Sequence, residues 1–375
     1  MKPGKSILVS QPSLPPLEEF VPYLEQIWQS KWLTNGGPMH QRLEAELAEH
    51  LRVPHVALFN NGTNALLTAL QALKITGEVI TTPYSFVATA HSLLWSGLTP
   101  VFADIEPGSF NIDPDRIEAA ITPRTAAIMP VHCYGHPCQV ERIREVATRH
   151  RLPVVYDAAH AFGVSHQGES LLRHGDLAVL SFHATKVFNT FEGGAIVCHD
   201  VETKQRIDRL KNFGIVDETM IEAVGLNGKM NEFQAAFGLL QLRHLTPALT
   251  RRHAVDDAYR RELAGVEGII CIPAPTGSVS NCAYFPILVS DGARCDRDAM
   301  YLQLKEQGVF ARRYFYPLLS DLPMYSRYPS AASTNLPHAT RIARQVLCLP
   351  IHQDLTDADV ERVIAAVLGR PGGRS

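Results

Sequence analysis

The chain has 375 residues, 46% of them hydrophobic and 19% charged, with a formal net charge of -3. That balance describes a soluble globular protein large enough for two cores, and it excludes a disordered chain. With no basic stripe or Lys/Arg-rich run, neither nucleic acid nor an anionic membrane surface is an expected partner.

No apolar run approaches the roughly 18–20 residues that a membrane span requires. Residues 1–30 are interrupted by Pro3, Pro12, Pro15, Pro16 and Pro22 and contain no apolar leader core. Seven scattered cysteines read as reduced thiols in a cytoplasmic protein, not as a disulfide framework.

In chain order, a proline-rich segment to about Asn35 holds one amphipathic helix near Leu17–Gln29. A helix over Met39–Leu51 follows, with Leu43, Leu47 and Leu51 on one face. Short apolar strands then alternate with helical patterns. The expected strands are His55–Phe59, Glu78–Thr81, Pro100–Ile105, Ala126–Val131, Pro153–Asp157, Leu177–Phe182 and Gly194–Cys198. The expected helices between them are Asn64–Lys74, Ser85–Trp95, Pro114–Ala120 and Gln139–His150. Strands this apolar, alternating with helices, predict an α/β fold with a mainly parallel sheet covered on both faces. A long helix over Asn231–Leu263 ends the alternation. Beyond it, strand Tyr284–Val289 and helices Arg297–Gln307, His338–Val346 and Ala358–Leu368 predict a smaller α+β domain. The expected division is 1–250 and 251–375.

Five stretches carry candidate chemistry. In NNGTNALLTAL, Asn60–Leu70, a strand runs through the Gly62 turn into a helix. Free N–H groups at a helix start favour a phosphate, and Thr63 adds a hydroxyl. Taken alone, an ordinary capped turn accounts for this stretch better. In PVVYDAAHAFG, Asp157 ends an apolar strand, the end at which open α/β sheets bind ligands. A carboxylate there is costly without a cationic partner such as a protonated pyridine nitrogen, although Asp also commonly caps a following helix. His160, three residues on, reads as a neighbour of such a site or as a helix-face histidine.

In SFHATKVFNTFEGG, Ser181 and Lys186 flank the end of the next strand. A partly desolvated lysine there can act as an amine nucleophile. Asp157 and Lys186 lie 29 residues apart, each at a strand end, so both can reach one cleft. A cation-seeking acid, an amine nucleophile and a phosphate cradle together describe pyridoxal phosphate (PLP) chemistry. In TTPYSFVATAHS, Phe86 is placed to stack on a planar cofactor or to pack in the core. In VGLNGKMNEFQAAFGLLQL, Asn227 sits in a glycine-flanked loop before a helix.

Other chemistries are disfavoured. There is no Walker loop and no GxGxxG. His132, His136 and Cys138 lack a second cluster at zinc-ligand spacing, so no metal is expected. Ser181 has no GxSxG elbow.

With these motifs in this order, and with RRYFYPLLSDLPMY and CLPIH further on, the chain resembles the DegT-type sugar aminotransferases. These are PLP enzymes with the aspartate aminotransferase fold. The resemblance implies that Lys186 carries the cofactor and shuttles the proton. It assigns Asp157 to the pyridinium nitrogen, Phe86 to stacking on the ring and His160 to the phenolic oxygen. Gly62, Thr63, Asn64 and Ser181 match phosphate contacts. Asn227 matches an asparagine that reaches the phosphate from the partner subunit, which implies a homodimer.

The implied reaction moves an amino group from L-glutamate to a nucleotide-linked ketosugar. The expected substrate is dTDP-4-keto-6-deoxyglucose, in the service of O-antigen or other glycan synthesis. A 3-keto sugar, a UDP- or GDP-ketosugar and a PLP-dependent dehydration remain alternatives. Tyr156 and Lys229 depart from the family pattern, which often has an acid and an arginine there. Arg312, Arg313, Tyr316 and Tyr325 read equally as nucleotide contacts and as packed or solvated residues.

Overall fold

The computed structural model describes residues 6–370. Helix α1 (Leu17–Ser30) buries Phe20, Tyr23 and Ile27. Helix α2 (Pro38–Leu51) buries Met39, Leu43, Leu47 and Leu51, the face its periodicity predicted. Strands β1 (His55–Phe59), β2 (Glu78–Thr81), β3 (Thr99–Phe102), β4 (Thr125–Met129), β5 (Val155–Asp157), β6 (Leu177–Ser181) and β7 (Gly194–Cys198) follow. Between them lie α3 (Gly62–Ala72), α4 (Val87–Trp95), α5 (Pro114–Ala119) and α6 (Val140–His150).

The strands assemble in the order β3-β2-β4 and β1-β7-β6-β5. Parallel bridges Ile128↔Val154 and Val131↔Asp157 join β4 to β5, making one sheet. Only β7 runs against its neighbours. The sheet is therefore mainly parallel, and the carboxyl ends of six strands share one edge.

Gly194, the first residue of β7, pairs with both Phe59 and Ser181 at that edge. A Cβ on Gly194 would meet backbone atoms of Asn61 and Gly62 at 2.8 Å. No larger residue lets the strand start so close to the turn into α3.

Helix α7 (Val201–Leu210) leads to α8 (Glu232–Leu263), a 32-residue helix capped by Asn231 and Gln234. The start of α8 packs Ala235, Ala236, Leu239 and Leu240 into the core beside the large sheet. Its end packs Val255, Tyr259 and Leu263 into a second core. That core lies around antiparallel strands β8 (Ile269–Cys271), β9 (Phe285–Val289) and β10 (Val346–Leu349). Helices α9 (Arg297–Glu306), α10 (Pro337–Gln345) and α11 (Asp357–Val367) cover this sheet. The short strand Ile7–Leu8 pairs in parallel with Val309–Phe310, and Ile7 is buried in the same second core.

Most element ends shift by one to three residues from expectation, and two of the shifts matter for the site. Helix α3 starts at Gly62, not Asn64, because the Asn61 side chain accepts the Asn64 N–H at 2.8 Å and caps it. Gly62 and Thr63 are thus first-turn residues. Helix α4 starts at Val87, which leaves Ser85 and Phe86 in the preceding turn. Helix α10 stops at Gln345, and Val346 opens β10. Helix α7 was not anticipated. Its sequence VETKQRIDRL buries only Ile207 and Leu210, which is too thin an apolar face to stand out.

Candidate active site

The carboxyl ends of β1, β5 and β6 and the start of α3 enclose a cavity of about 620 Å³. Asp157, Lys186, Gly62, Phe86, His160 and Tyr284 all line it. A wider hollow of about 730 Å³ lies on the C-terminal part. There Asp291 and Asp296 face Arg341 and Arg344, and neither a lysine nor a buried acid meets them.

Asp157 is buried at the end of β5. Oδ2 accepts a hydrogen bond from Thr89 Oγ1 at 2.7 Å, and Oδ1 accepts one from the Ala159 N–H at 3.1 Å. Neither donor is charged. Burial raises the pKa of its carboxyl, against the opposing pull of these bonds and of Lys186. Among the described residues the acid forms no ion pair.

Lys186 follows β6 in an irregular turn. Burial lowers the pKa of its amine from 10.5 to about 8, and Asp157 acts in the opposite direction. The two groups are thus close enough to bias one another across the cavity. Nζ donates to the Tyr284 hydroxyl at 3.4 Å.

At the other end of the cavity stand Gly62 and Thr63, whose first-turn N–H groups have no acceptor among the described residues, and Asn64, whose N–H is held by Asn61. Ser181 closes against them. A Cβ on Gly62 would lie 3.1 Å from Ser181 Cβ, so glycine keeps this cradle open. Phe86 is 58% exposed and turned into the cavity, which makes it a lining residue and not a core residue.

His160 is buried, and its Nδ1 must accept, because its partner is the Tyr134 backbone N–H at 3.2 Å. The proton of the neutral ring therefore sits on Nε2. Burial, and then Lys186, push the pKa of His160 well below its ordinary value.

Asn227 does not line this cavity. It is exposed, and its backbone bridges to Asn212. Lys229 donates to Asn212 Oδ1 at 2.7 Å and lies over the Phe213 ring. Tyr156 is buried and stacked on His132 with centroids 4.5 Å apart.

In the aromatic segment the packed alternative holds for one residue. Tyr325 is wholly buried against Phe102, with its hydroxyl on His91, and so is no base contact in this chain. Arg313 is held by Asp298 and by the rings of Tyr301 and Tyr316. Tyr314 and Phe315, which nothing in the sequence singled out, line the cavity instead. Thr89 and Tyr284 were also missed. Tyr284 is 98 residues from the lysine it touches, and no spacing rule spans that gap.

The residues fit a pyridoxal phosphate. A buried acid lacks a cation, an amine of lowered basicity faces the same space, and a helix start offers unpaired N–H groups across the cavity from them.

The sequence profile of the DegT/DnrJ/EryC1/StrS aminotransferase family matches residues 17–368. A dTDP-4-amino-4,6-dideoxy-D-glucose transaminase of Shigella dysenteriae is 56% identical over 97% of this chain and 98% of its own. Another of that name from Escherichia coli is 53% identical over 98% and 99%. Among solved structures, DesI in the presence of its TDP-sugar product superposes with a TM-score of 0.92 at 38% identity. That match covers 98% of this chain and 94% of DesI.

Proposed function

The chain belongs to the DegT/DnrJ/EryC1/StrS aminotransferase family of PLP-dependent enzymes, and on that premise we propose a specific reaction for it. It transfers the amino group of L-glutamate to dTDP-4-keto-6-deoxy-D-glucose, giving dTDP-4-amino-4,6-dideoxy-D-glucose. The names of the two relatives above half identity support this sugar. The product then supplies O-antigen or another glycan. The one observation that carries the reading is the meeting of Lys186 and the unpaired buried Asp157 on one cavity.

When bound, PLP supplies an electron sink for the negative charge that develops at the reacting carbon. The chain's own residues do the rest. Asp157 holds a proton on the pyridine nitrogen by offering it an anion, and Thr89 and Ala159 keep that anion in place. Gly62, Thr63, Asn64 and Ser181 bind the phosphate. Phe86 covers the ring, and His160, fixed as the Nε2–H tautomer, donates toward the phenolic oxygen. Lys186 anchors the cofactor, and its Nζ takes and returns the proton at the carbon that gains or loses nitrogen. A pKa of about 8 lets the amine do both near neutral pH.

The cavity lining includes no arginine. We therefore place part of the counter-charge for glutamate's carboxylates and the sugar's diphosphate on a second copy of the chain. Asn227, exposed and absent from the lining of its own cavity, is offered to the partner's phosphate in a homodimer. Residues 1–250 form the large domain and 251–375 the small one. The different clusters packed on the two ends of α8 support that division, a third cluster seals the domains together, and the ends at 1–5 and 371–375 lie outside the described residues. The compartment is the cytoplasm, in keeping with seven free cysteines and with no described helix long and apolar enough to cross a membrane.

The test is a panel of ketosugars offered with glutamate, read by product mass and position of amination. The expected result is turnover of dTDP-4-keto-6-deoxyglucose with nitrogen at C4. Preference for a 3-keto or GDP-linked sugar, or a deoxygenated product without glutamate consumption, overturns the assignment.

A further inference from the structure

We propose that Tyr284 is a positioning residue whose hydroxyl fixes the direction from which the Lys186 amine meets its proton. The Tyr284 oxygen lies 3.4 Å from Nζ, whereas the ring centroid lies 5.9 Å away. The amine therefore sits beyond the hydroxyl end of the ring, not over its face. The contact is a hydrogen bond to oxygen, not a cation–π pair.

Among the described residues that hydroxyl has no other hydrogen-bond partner. It can accept from an ammonium and donate to a neutral amine, so it stays useful to Lys186 in either protonation state. Burial raises the pKa of the phenol, which keeps its proton on.

The ring is held on three sides. His160, Tyr134 and Tyr314 lie with centroids at 4.7, 5.6 and 5.8 Å. The backbone ahead of it is clamped to the Asp157 side of the site. Asn281 Nδ2 donates to the carbonyls of His160 and Phe162, both at 2.9 Å, and Asn281 Oδ1 accepts the Ala283 N–H. A tyrosine on the approach to β9 is thus fixed against a lysine that follows β6, so the smaller sheet contributes directly to the placement of the amine. The other groups facing that amine are Asp157, His160 and Tyr314, with His183 and Glu192 at the mouth.

This role rests on Lys186 being the reacting amine. Two measurements test both. In cofactor-free protein, Lys186 is labelled with fluorodinitrobenzene across pH and quantified by peptide mass. Removing the hydroxyl in Tyr284→Phe withdraws a charge-assisted acceptor and should lower the labelling midpoint by about half to one pH unit. In the holoenzyme the same variant should lose about tenfold in kcat with KM nearly unchanged.

An unchanged midpoint in Tyr284→Phe, with the defect appearing only in Tyr284→Leu, overturns the role, because the ring alone would then matter. A wild-type holoenzyme in which borohydride fixes no cofactor on Lys186 sinks the functional reading, and this role with it. Cofactor fixed on Lys186 together with an unmoved midpoint sinks the role of Tyr284 alone.

Discussion

Two largely sequestered charged clusters in the large domain are balanced in opposite ways. In the first, Glu44 accepts from Lys211 at 3.2 Å, Lys204 at 3.1 Å and His40 at 3.1 Å. Lys204 also meets Asp208 at 2.6 Å. Burial works against the Glu44 carboxylate, but Lys211, the His40 hydrogen bond and Lys204 together hold it well below the usual range. Every charge there is answered within the chain. In the second, Asp157 and Lys186 share a cavity, and burial dominates both. A closed account marks a structural device, whereas a deficit marks a place prepared for a ligand.

The contrast breaks first at Lys186. Lys186→Met keeps an apolar stem and removes the amine. Transamination should fall at least ~10³-fold, with no borohydride-fixed cofactor in the peptide map. The cofactor-free protein should nonetheless melt higher at pH 7. The folded pKa of about 8 lies below the ordinary 10.5, so below about 8 the fold carries the full cost of a buried ammonium. That cost, at most ~3 kcal/mol, is relieved as pH rises from about 8 toward 10.5, and the advantage of the variant should shrink there. A variant that melts lower at pH 7 and higher at pH 10 would reverse the sign.

Asp157→Asn should cost ~10²–10³-fold in kcat/KM and weaken cofactor retention on dialysis. Its stability effect has the same sense. A raised carboxyl pKa means that the ionised form costs stability above that pKa, so the gain on substitution should disappear as pH falls through it. Glu44→Gln should do the opposite, losing up to about 3 kcal/mol at pH 7 because half-buried Lys204 and buried Lys211 are left to share Asp208 as their acid. In the wild-type chain this stabilisation is in place above the unfolded carboxyl pKa of ~4.3 and is lost as pH falls below it. Borohydride fixation at Lys186 should be unchanged in this variant.

The parts of this picture that the sequence revealed are the local ones. Strand ends are readable where an apolar run meets a polar residue, and Asp157 and Lys186 stand at such ends. The turn into α3 was readable from Gly62, although the Asn61 cap moved its start by two residues. Helix α7 and the short strand Ile7–Leu8 escaped because neither has an apolar run of useful length. Tyr314, Phe315 and Tyr284 escaped for a different reason. They reach the cavity only because β9 and the segment before α10 fold back onto the large sheet. Proximity created by such long-range packing leaves no period or spacing in the chain. The Glu44 cluster was invisible on the same grounds, since Lys204 and Lys211 lie far along the chain from Glu44 and meet it only through packing.

The finest test of the contrast concerns how the deficit at Asp157 is held open. Thr89 has one hydroxyl proton, and it is spent on Asp157 Oδ2 at 2.7 Å. Ser85 Oγ, 2.8 Å from Thr89 Oγ1, must therefore donate to Thr89, so a short hydroxyl chain runs from the turn before α4 to the acid. This chain stabilises the carboxylate without neutralising it. Thr89→Val removes the donor and keeps the shape, so the Asp157 pKa should rise further and kcat should fall about tenfold, with KM unmoved. Thr89→Ser should recover most of the loss, which a packing role would not predict. The effect must stay well below that of Asp157→Asn, because the acid itself survives. Equal losses in the two variants would mean that Thr89, not the uncompensated charge, is what the cavity depends on.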